Sequence, residues 1–158
     1  MKPLLYSVLA GLLLFQPVPA LAKDDPFTAM FAWWNTAFKT QDGFTADAFR
    51  QHFTEDATLT LEGRQAIRGI DNWVSHFRRI QASGSQVEIV IPFKTVFRDG
   101  GNNIYSYHVI RSRHDGKLAC TLAAGHAVLA GEKIAAITLV RAPMDPAKGP
   151  VDPECWKN

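Results

Sequence analysis

Histidine and cysteine supply the side chains best suited to chemistry near neutral pH, and the chain has five of one and two of the other: His52, His76, His108, His114, His126, Cys120 and Cys155. Imidazole is the natural general base there, because its ordinary pKa lies in that range. His108 stands in the most informative context. It lies in an alternating stretch that leads into Asp115-Gly116, a strong two-residue hairpin signal. Such a turn sets Ser112 opposite Ala119, Ile110 opposite Thr121 and His108 opposite Ala123. One face of the hairpin then carries Ser106, His108, Ile110 and Ser112 against Ala119, Thr121, Ala123 and Gly125. The other carries Tyr105, Tyr107, Val109 and Arg111 against Cys120, Leu122, Ala124 and His126. No carboxylate is placed to orient His108, and a lone histidine on an inner face also serves as a satisfied structural residue. His52 and His76 fall on helices beside aromatic stripes and read as partly exposed; His114 flanks a turn, and His126 shares a face with Tyr105. Arg78-Arg79 and the Arg111/Arg113 pair read as solvated faces, although an anionic ligand could use them. Each cysteine stands alone, with no CxxC and no HxxxH, so no metal site and no cofactor is expected.

The setting of the cysteines follows from the first 22 residues. Lys2 is a short positive start, Leu4 to Phe15 an apolar run of 12 residues, and Ala20-Leu21-Ala22 a small-x-small cleavage site. That run falls short of the roughly 20 residues a membrane span needs, and Gln16-Pro17-Val18-Pro19 would break a helix. Residues 1–22 therefore read as a signal peptide, with no membrane anchor after processing. The protein is expected to be exported: periplasmic in a Gram-negative bacterium, secreted otherwise. In an oxidising compartment an even pair is most simply a disulfide, so Cys120 and Cys155 are expected to close a loop with a separation of 35 residues. Removing the leader takes one positive charge from 17 basic against 15 acidic residues. Such near-neutrality argues against a nucleic-acid partner or a polybasic membrane contact.

Period and punctuation place the elements. Asp25-Pro26 reads as a helix start, and Phe27, Met30, Phe31, Trp34 and Phe38 draw one apolar stripe. Thr45 caps a short second helix with Ala46, Phe49 and Phe53 on one side, which Thr54-Glu55-Asp56 breaks. Ala57 to Leu61 alternates as a half-buried strand does; Glu62-Gly63 turns into a weak strand, Gln65 to Arg68. Ile70, Trp73, Val74, Phe77 and Ile80 mark a third helix. From Gln86 the period is two, with Val87, Ile89, Ile91, Phe93, Thr95 and Phe97 on one face. Strands follow from Ile104 to Arg113, Lys117 to Leu129 and Ile134 to Arg141. Pro143, Pro146, Pro150 and Pro153 then punctuate a tail unsuited to long strand or helix. Three helices followed by an antiparallel meander make an α+β pattern, with a strongly curved sheet wrapped around the N-terminal helices. The organisation is residues 1–22 as leader, 23–142 as one domain and 143–158 as a stapled Pro-rich tail.

That order, together with Trp33-Trp34-Asn35-Thr36-Ala37-Phe38, Phe53-Thr54-Glu55-Asp56-Ala57-Thr58-Leu59, Ile67-Arg68-Gly69-Ile70 and Glu132-Lys133-Ile134, resembles the nuclear transport factor 2-like superfamily. That cone-shaped α+β fold includes SnoaL-like polyketide cyclases and ketosteroid isomerases. The resemblance spans about residues 26 to 141 and implies fold far more than activity. Of the steroid isomerase groups, the pocket tyrosine falls at Trp34, the base aspartate at Leu61 and the protonated aspartate at Gly125, so that mechanism is not expected. Glu62, one residue from the base position, points to the other face and reads as a solvated turn carboxylate. In the resembling family the face bearing the Gly125 position lines the cavity. The implied pocket is then Trp34, Leu59, Leu61, Ser106, His108, Ile110, Thr121 and Gly125. Many members dimerise through the convex sheet surface, which makes a homodimer an expectation, with a tail stapled at Cys120 covering or reshaping that contact.

The functional expectation is an exported domain binding a small, largely hydrophobic molecule. Two alternatives stand beside it. One is a cofactor-free lyase or isomerase using His108 as acid/base. The other is an interaction module of a cell-envelope assembly, for which exposed Trp, Tyr and Arg would matter more than a cavity.

Overall fold

The computed structural model describes residues 25–149 and 151–156; the expected leader, residues 1–22, lies outside them. Helix α1 (Pro26–Lys39) starts where the sequence punctuates it. The Asp25 carboxylate accepts from the backbone N–H groups of Phe27 and Thr28 at 3.0 and 2.9 Å, and Pro26 occupies the first turn. Its apolar stripe, Phe27, Met30, Phe31 and Trp34, is buried. Helix α2 (Ala46–His52) is capped by the Thr45 hydroxyl, and α3 (Ile70–Ala82) buries Ile70, Trp73 and Phe77.

Seven strands make one sheet: β1 (Phe53–Leu61), β2 (Arg64–Arg68), β3 (Gln86–Ile89), β4 (Thr95–Arg98), β5 (Asn103–His114), β6 (Lys117–Ala130) and β7 (Lys133–Met144). Their order is β2-β1-β7-β6-β5-β3, and β4 also pairs with β5, end to end with β3. Two of the three tight hairpins among the described residues carry positive φ at both turn positions. Glu62-Gly63 and Asp115-Gly116 both adopt positive φ throughout, a conformation suited to right-twisted strands. The Asp115-Gly116 turn sets Ser112 opposite Ala119, Ile110 opposite Thr121 and His108 opposite Ala123, the pairing expected from the sequence.

Four local expectations are corrected. Thr54-Glu55-Asp56 does not separate α2 from a later strand; β1 begins at Phe53, directly after the helix. The period-two run from Val87 to Phe97 is not one strand, because Pro92, with no N–H to donate, interrupts it between β3 and β4. The face changes across that break: Val87 and Ile89 look inward, while Phe97 stacks on Tyr105 and is 56% exposed. The sheet is not wholly antiparallel, since β7 returns beside β1 in parallel, with Leu59 opposite Ile137 and Leu61 opposite Leu139. Finally, β7 runs on through Pro143 to Met144, beyond the end of β1, where a proline on a free strand edge is tolerated.

Cys120 and Cys155 are bonded, with Cα atoms 5.5 Å apart. A short 3-10 helix, Pro153–Trp156, is thereby held against β5 and β6. Val109, Cys120 and Cys155 form a small second core with Val90, Leu122, Met144 and Val151, apart from the main one. Lys94 pairs with Asp152 at 2.6 Å and ties the tail to the segment after β3.

Candidate functional site

The helices are propped off the sheet by polar contacts at their ends. The Asn35 side chain accepts from the Ile89 N–H (2.8 Å) and donates to the Ile89 carbonyl (2.7 Å), so α1 completes the backbone pairing of β3. The Trp73 indole N–H donates to the Ala57 carbonyl at 3.0 Å and fixes α3 on β1. Gln81 Nε2 donates to the carbonyls of Phe38 and Thr40 at 3.1 and 2.9 Å, which joins the end of α3 to the end of α1. Between these anchors the side chains do not fill the space.

What remains is a partly open cavity of about 200 Å³. Helix α1 lines it with Met30, Phe31, Trp34 and Phe38, and α3 with Trp73, His76, Phe77 and Ile80. The sheet contributes Leu59, Leu61, Val87, Ile89, Ile110, Ile137, Leu139 and Arg141. Its polar groups are the His76 imidazole, the Arg141 guanidinium and the indole N–H groups of Trp34 and Trp73, the last spent on the Ala57 carbonyl. Arg141 is held in a two-pronged contact by Glu62, Nε and the second guanidinium nitrogen donating to the carboxylate at 2.7 and 2.8 Å. That hydrogen bonding holds the Glu62 carboxyl below its ordinary range and raises the guanidinium further above its own. Glu62 is therefore not merely a solvated turn residue; it orients the cation at the cavity wall. Burial, and secondarily the charge of Arg79, holds His76 below the ordinary histidine range, so its imidazole is neutral near pH 7.

Of the residues expected to line a pocket, Trp34, Leu59, Leu61 and Ile110 do so. Ser106, His108, Thr121 and Gly125 do not; Thr121 is partly exposed elsewhere on β6, and the other three are packed over by α1 and the segment after β3. His108 is fully buried, its ring 5.5 Å from that of Phe31 and 5.0 Å from that of Phe93. Its Nδ1 shares a hydrogen bond with the Ser106 hydroxyl at 3.1 Å, while Nε2 has no protein partner among the described residues. Burial lowers its pKa to about 4. Gly125 leaves no vacancy either: a Cβ there would meet Ser106 Oγ at 2.6 Å, Leu139 at 3.1 Å and the Phe27 ring at 3.2 Å. The space at Gly125, opposite Ser106, accommodates the Phe27 ring. The imidazole expected as a candidate acid/base therefore stands behind Phe31 and Phe93 and does not line this cavity.

Sequence reasoning missed His76 and Arg141. A signal for the first was present: Trp73, His76, Phe77 and Ile80 share one helical face. No comparable signal marked Arg141, whose place depends on the parallel pairing of β7 with β1. Among the described residues no group of histidine, cysteine and carboxylate side chains could hold a metal ion.

No family model matches the chain, and no curated protein matches it in sequence. Solved structures do match. A SnoaL-like polyketide cyclase from Jannaschia sp. CCS1 superposes with a TM-score of 0.58 at 19% identity, covering 73% of this chain and 82% of that one. An epoxide hydrolase of M. tuberculosis gives 0.56 at 13% identity, covering 73% and 84%. A ketosteroid isomerase-like protein from Catenulispora acidiphila, solved with trimethylamine, gives 0.55 at 17%, covering 70% and 82%. The fold is nuclear transport factor 2-like. At these identities the likeness concerns the cone alone: three helices and a curved, unclosed sheet. The positions to which the resemblance assigned the steroid isomerase tyrosine and two aspartates hold Trp34, Leu61 and Gly125 in this chain. Two of these line the cavity with apolar surface and the third is packed against Phe27.

Proposed function

We propose that this protein binds a small, mainly apolar molecule in the cavity between α1, α3 and the sheet. The supporting observation is the cavity itself, whose wall is mainly apolar, with His76, Arg141 and the indole N–H of Trp34 as its polar points. A dry cavity of about 150 Å³ is already enough for benzene, whereas drug-sized ligands occupy roughly 300–1,000 Å³. A volume of about 200 Å³ therefore suits one ring or a short chain. No carboxylate lines this wall among the described residues, and the neutral imidazole of His76 stands without an acid to orient it. Binding is thus the reading with physical support, and no reaction is assigned.

The export reading rests on the leader-like residues 1–22, and the Cys120–Cys155 bond agrees with it, because such bonds persist in oxidising compartments. The partner in this reading is a small molecule met outside the cytoplasm. Two measurements test the proposal. Calorimetric titration with a monocyclic probe such as toluene or 3-phenylpropan-1-ol should show saturable binding that Leu61→Phe abolishes. Absence of binding by both probes would overturn it. The mass of the protein recovered from cells should correspond to a chain starting near residue 23; an intact residue 1 on the extracted protein would overturn export with processing.

A further inference from the structure

Helix α3 presents two faces that meet at one residue. Trp73, His76, Phe77 and Ile80 look into the apolar cavity, while Asn72, Ser75, His76 and Arg79 look into a second hollow, a groove of about 300 Å³ bounded on its other side by Ala66, Ile67 and Arg68 of β2. Spacings of three and four residues make this division a direct consequence of helical geometry. The two spaces differ in chemistry. One is lined by hydrocarbon; the other by two guanidinium groups, an amide, a hydroxyl and the same imidazole. No acidic side chain lines the groove among the described residues. Arg68 has only a long exposed contact to Asp56, at 4.0 Å, and no salt bridge among the described residues engages Arg79. The positive field is felt locally, since Arg79 helps to hold His76 below its ordinary range.

We propose that the ligand is an amphiphilic carboxylate, with its ring or short chain in the apolar cavity and its anionic head at His76, toward Arg79 and Arg68. This rests on the cavity-binding reading above and names the class of molecule that reading left open. A neutral imidazole at the junction donates one hydrogen bond to a carboxylate oxygen, and a guanidinium offers the forked pair that carboxylates favour. Arg141 is the poorer partner for the head, because Glu62 already balances its charge and takes two of its five N–H donors. A neutral ligand would leave the groove to water and gain nothing from it.

Calorimetric titration with 3-phenylpropionate and with 3-phenylpropan-1-ol, a matched anionic and neutral pair, tests this. The acid should bind more tightly by roughly tenfold or more, the usual worth of a charge-assisted hydrogen bond. Arg79→Gln and Arg68→Gln should each remove much of that preference and leave the alcohol unchanged. Because the groove faces solvent, the preference should also shrink as salt rises from 50 to 500 mM (assay conditions; screening tightens over this range). Equal binding of the two probes, or a preference that survives the Arg68→Gln/Arg79→Gln double variant, would overturn the carboxylate assignment while leaving the apolar cavity standing. Failure of both probes to bind the unaltered protein would overturn the cavity reading and this inference with it.

Discussion

The concave interior has two halves with opposite fates. In one, Phe27, Phe31 and Phe93 close over Ser106, His108 and Gly125 until the imidazole is fully buried and no Cβ fits at Gly125. In the other, Trp34, Trp73 and Phe77 stand at the wall of a cavity of about 200 Å³ with His76 at its margin. Each half holds one histidine among aromatic rings. Burial lowers the pKa of both, to about 4 for His108, yet only His76 can meet a ligand. The contrast teaches that an inward-facing imidazole beside small residues is a packing solution until the space before it has been shown to be empty. Gly125 makes room for Phe27 of helix α1; the hollow arises instead where large side chains from α1 and α3 meet edge-on, Trp34 and Phe77 at 90°.

The largest effect is expected outside either half. Cys120→Ala/Cys155→Ala should lower stability by about 4 kcal/mol, the loop-closure value for this separation. Binding of 3-phenylpropan-1-ol by the folded fraction should be unchanged. A lost cavity in that variant would show that the tail on the convex side supports the hollow half, and the contrast would need restating.

The filled half should announce itself in acid. His108 takes up its proton near pH 4 when folded, against about 6.5 when unfolded, so between these values the unfolded chain holds more protons. Stability should therefore fall as pH drops from 6.5 to 4, by about 3 kcal/mol in total. Chemical denaturation of His108→Leu at pH 7 and pH 4.5 should show most of this slope gone, whereas His76→Leu should retain it. At pH 7 the leucine should cost roughly 1–3 kcal/mol, since it leaves the buried Ser106 hydroxyl without its Nδ1 partner.

Added volume separates the halves next. Gly125→Ala should cost roughly 1–3 kcal/mol by overpacking against Ser106, Leu139 and Phe27, and leave probe binding intact in the folded fraction. Leu61→Phe should change stability by less than about 1 kcal/mol, because it grows into space, and abolish binding. Equal destabilisation by the two would erase the distinction between a filled and a hollow half. The smallest stability effect belongs to His76→Gln, within about 0.5 kcal/mol by thermal unfolding, as for other partly exposed positions. Its consequence should appear in the affinity for 3-phenylpropionate instead.

Much of this architecture was legible before the fold was known, and particular residues say why. The Asp25-Pro26 start, the Thr45 cap and the Asp115-Gly116 turn act within a few residues, so the caps and the register of β5 on β6 followed from local chemistry. The pairing of Cys120 with Cys155 followed from parity and the expected compartment. The cavity was only half legible. Trp34, Leu59, Leu61 and Ile110 belong to it as expected, but Ser106, His108, Thr121 and Gly125 do not, although Ser106 and His108 face inward as the register demanded.

Sequence alone thus determined the caps, turns, alternating faces, curved α+β architecture and disulfide partners, because each depends on nearest neighbours, on a short periodic pattern or on counting. The tertiary structure decided which inward-facing residues meet empty space, because that depends on where Asn35 and Trp73 fix two helices, joined by Gln81, on a sheet whose last strand returns beside its first. Whether a space is filled is a property of volumes converging from distant segments. No spacing within one strand encodes it.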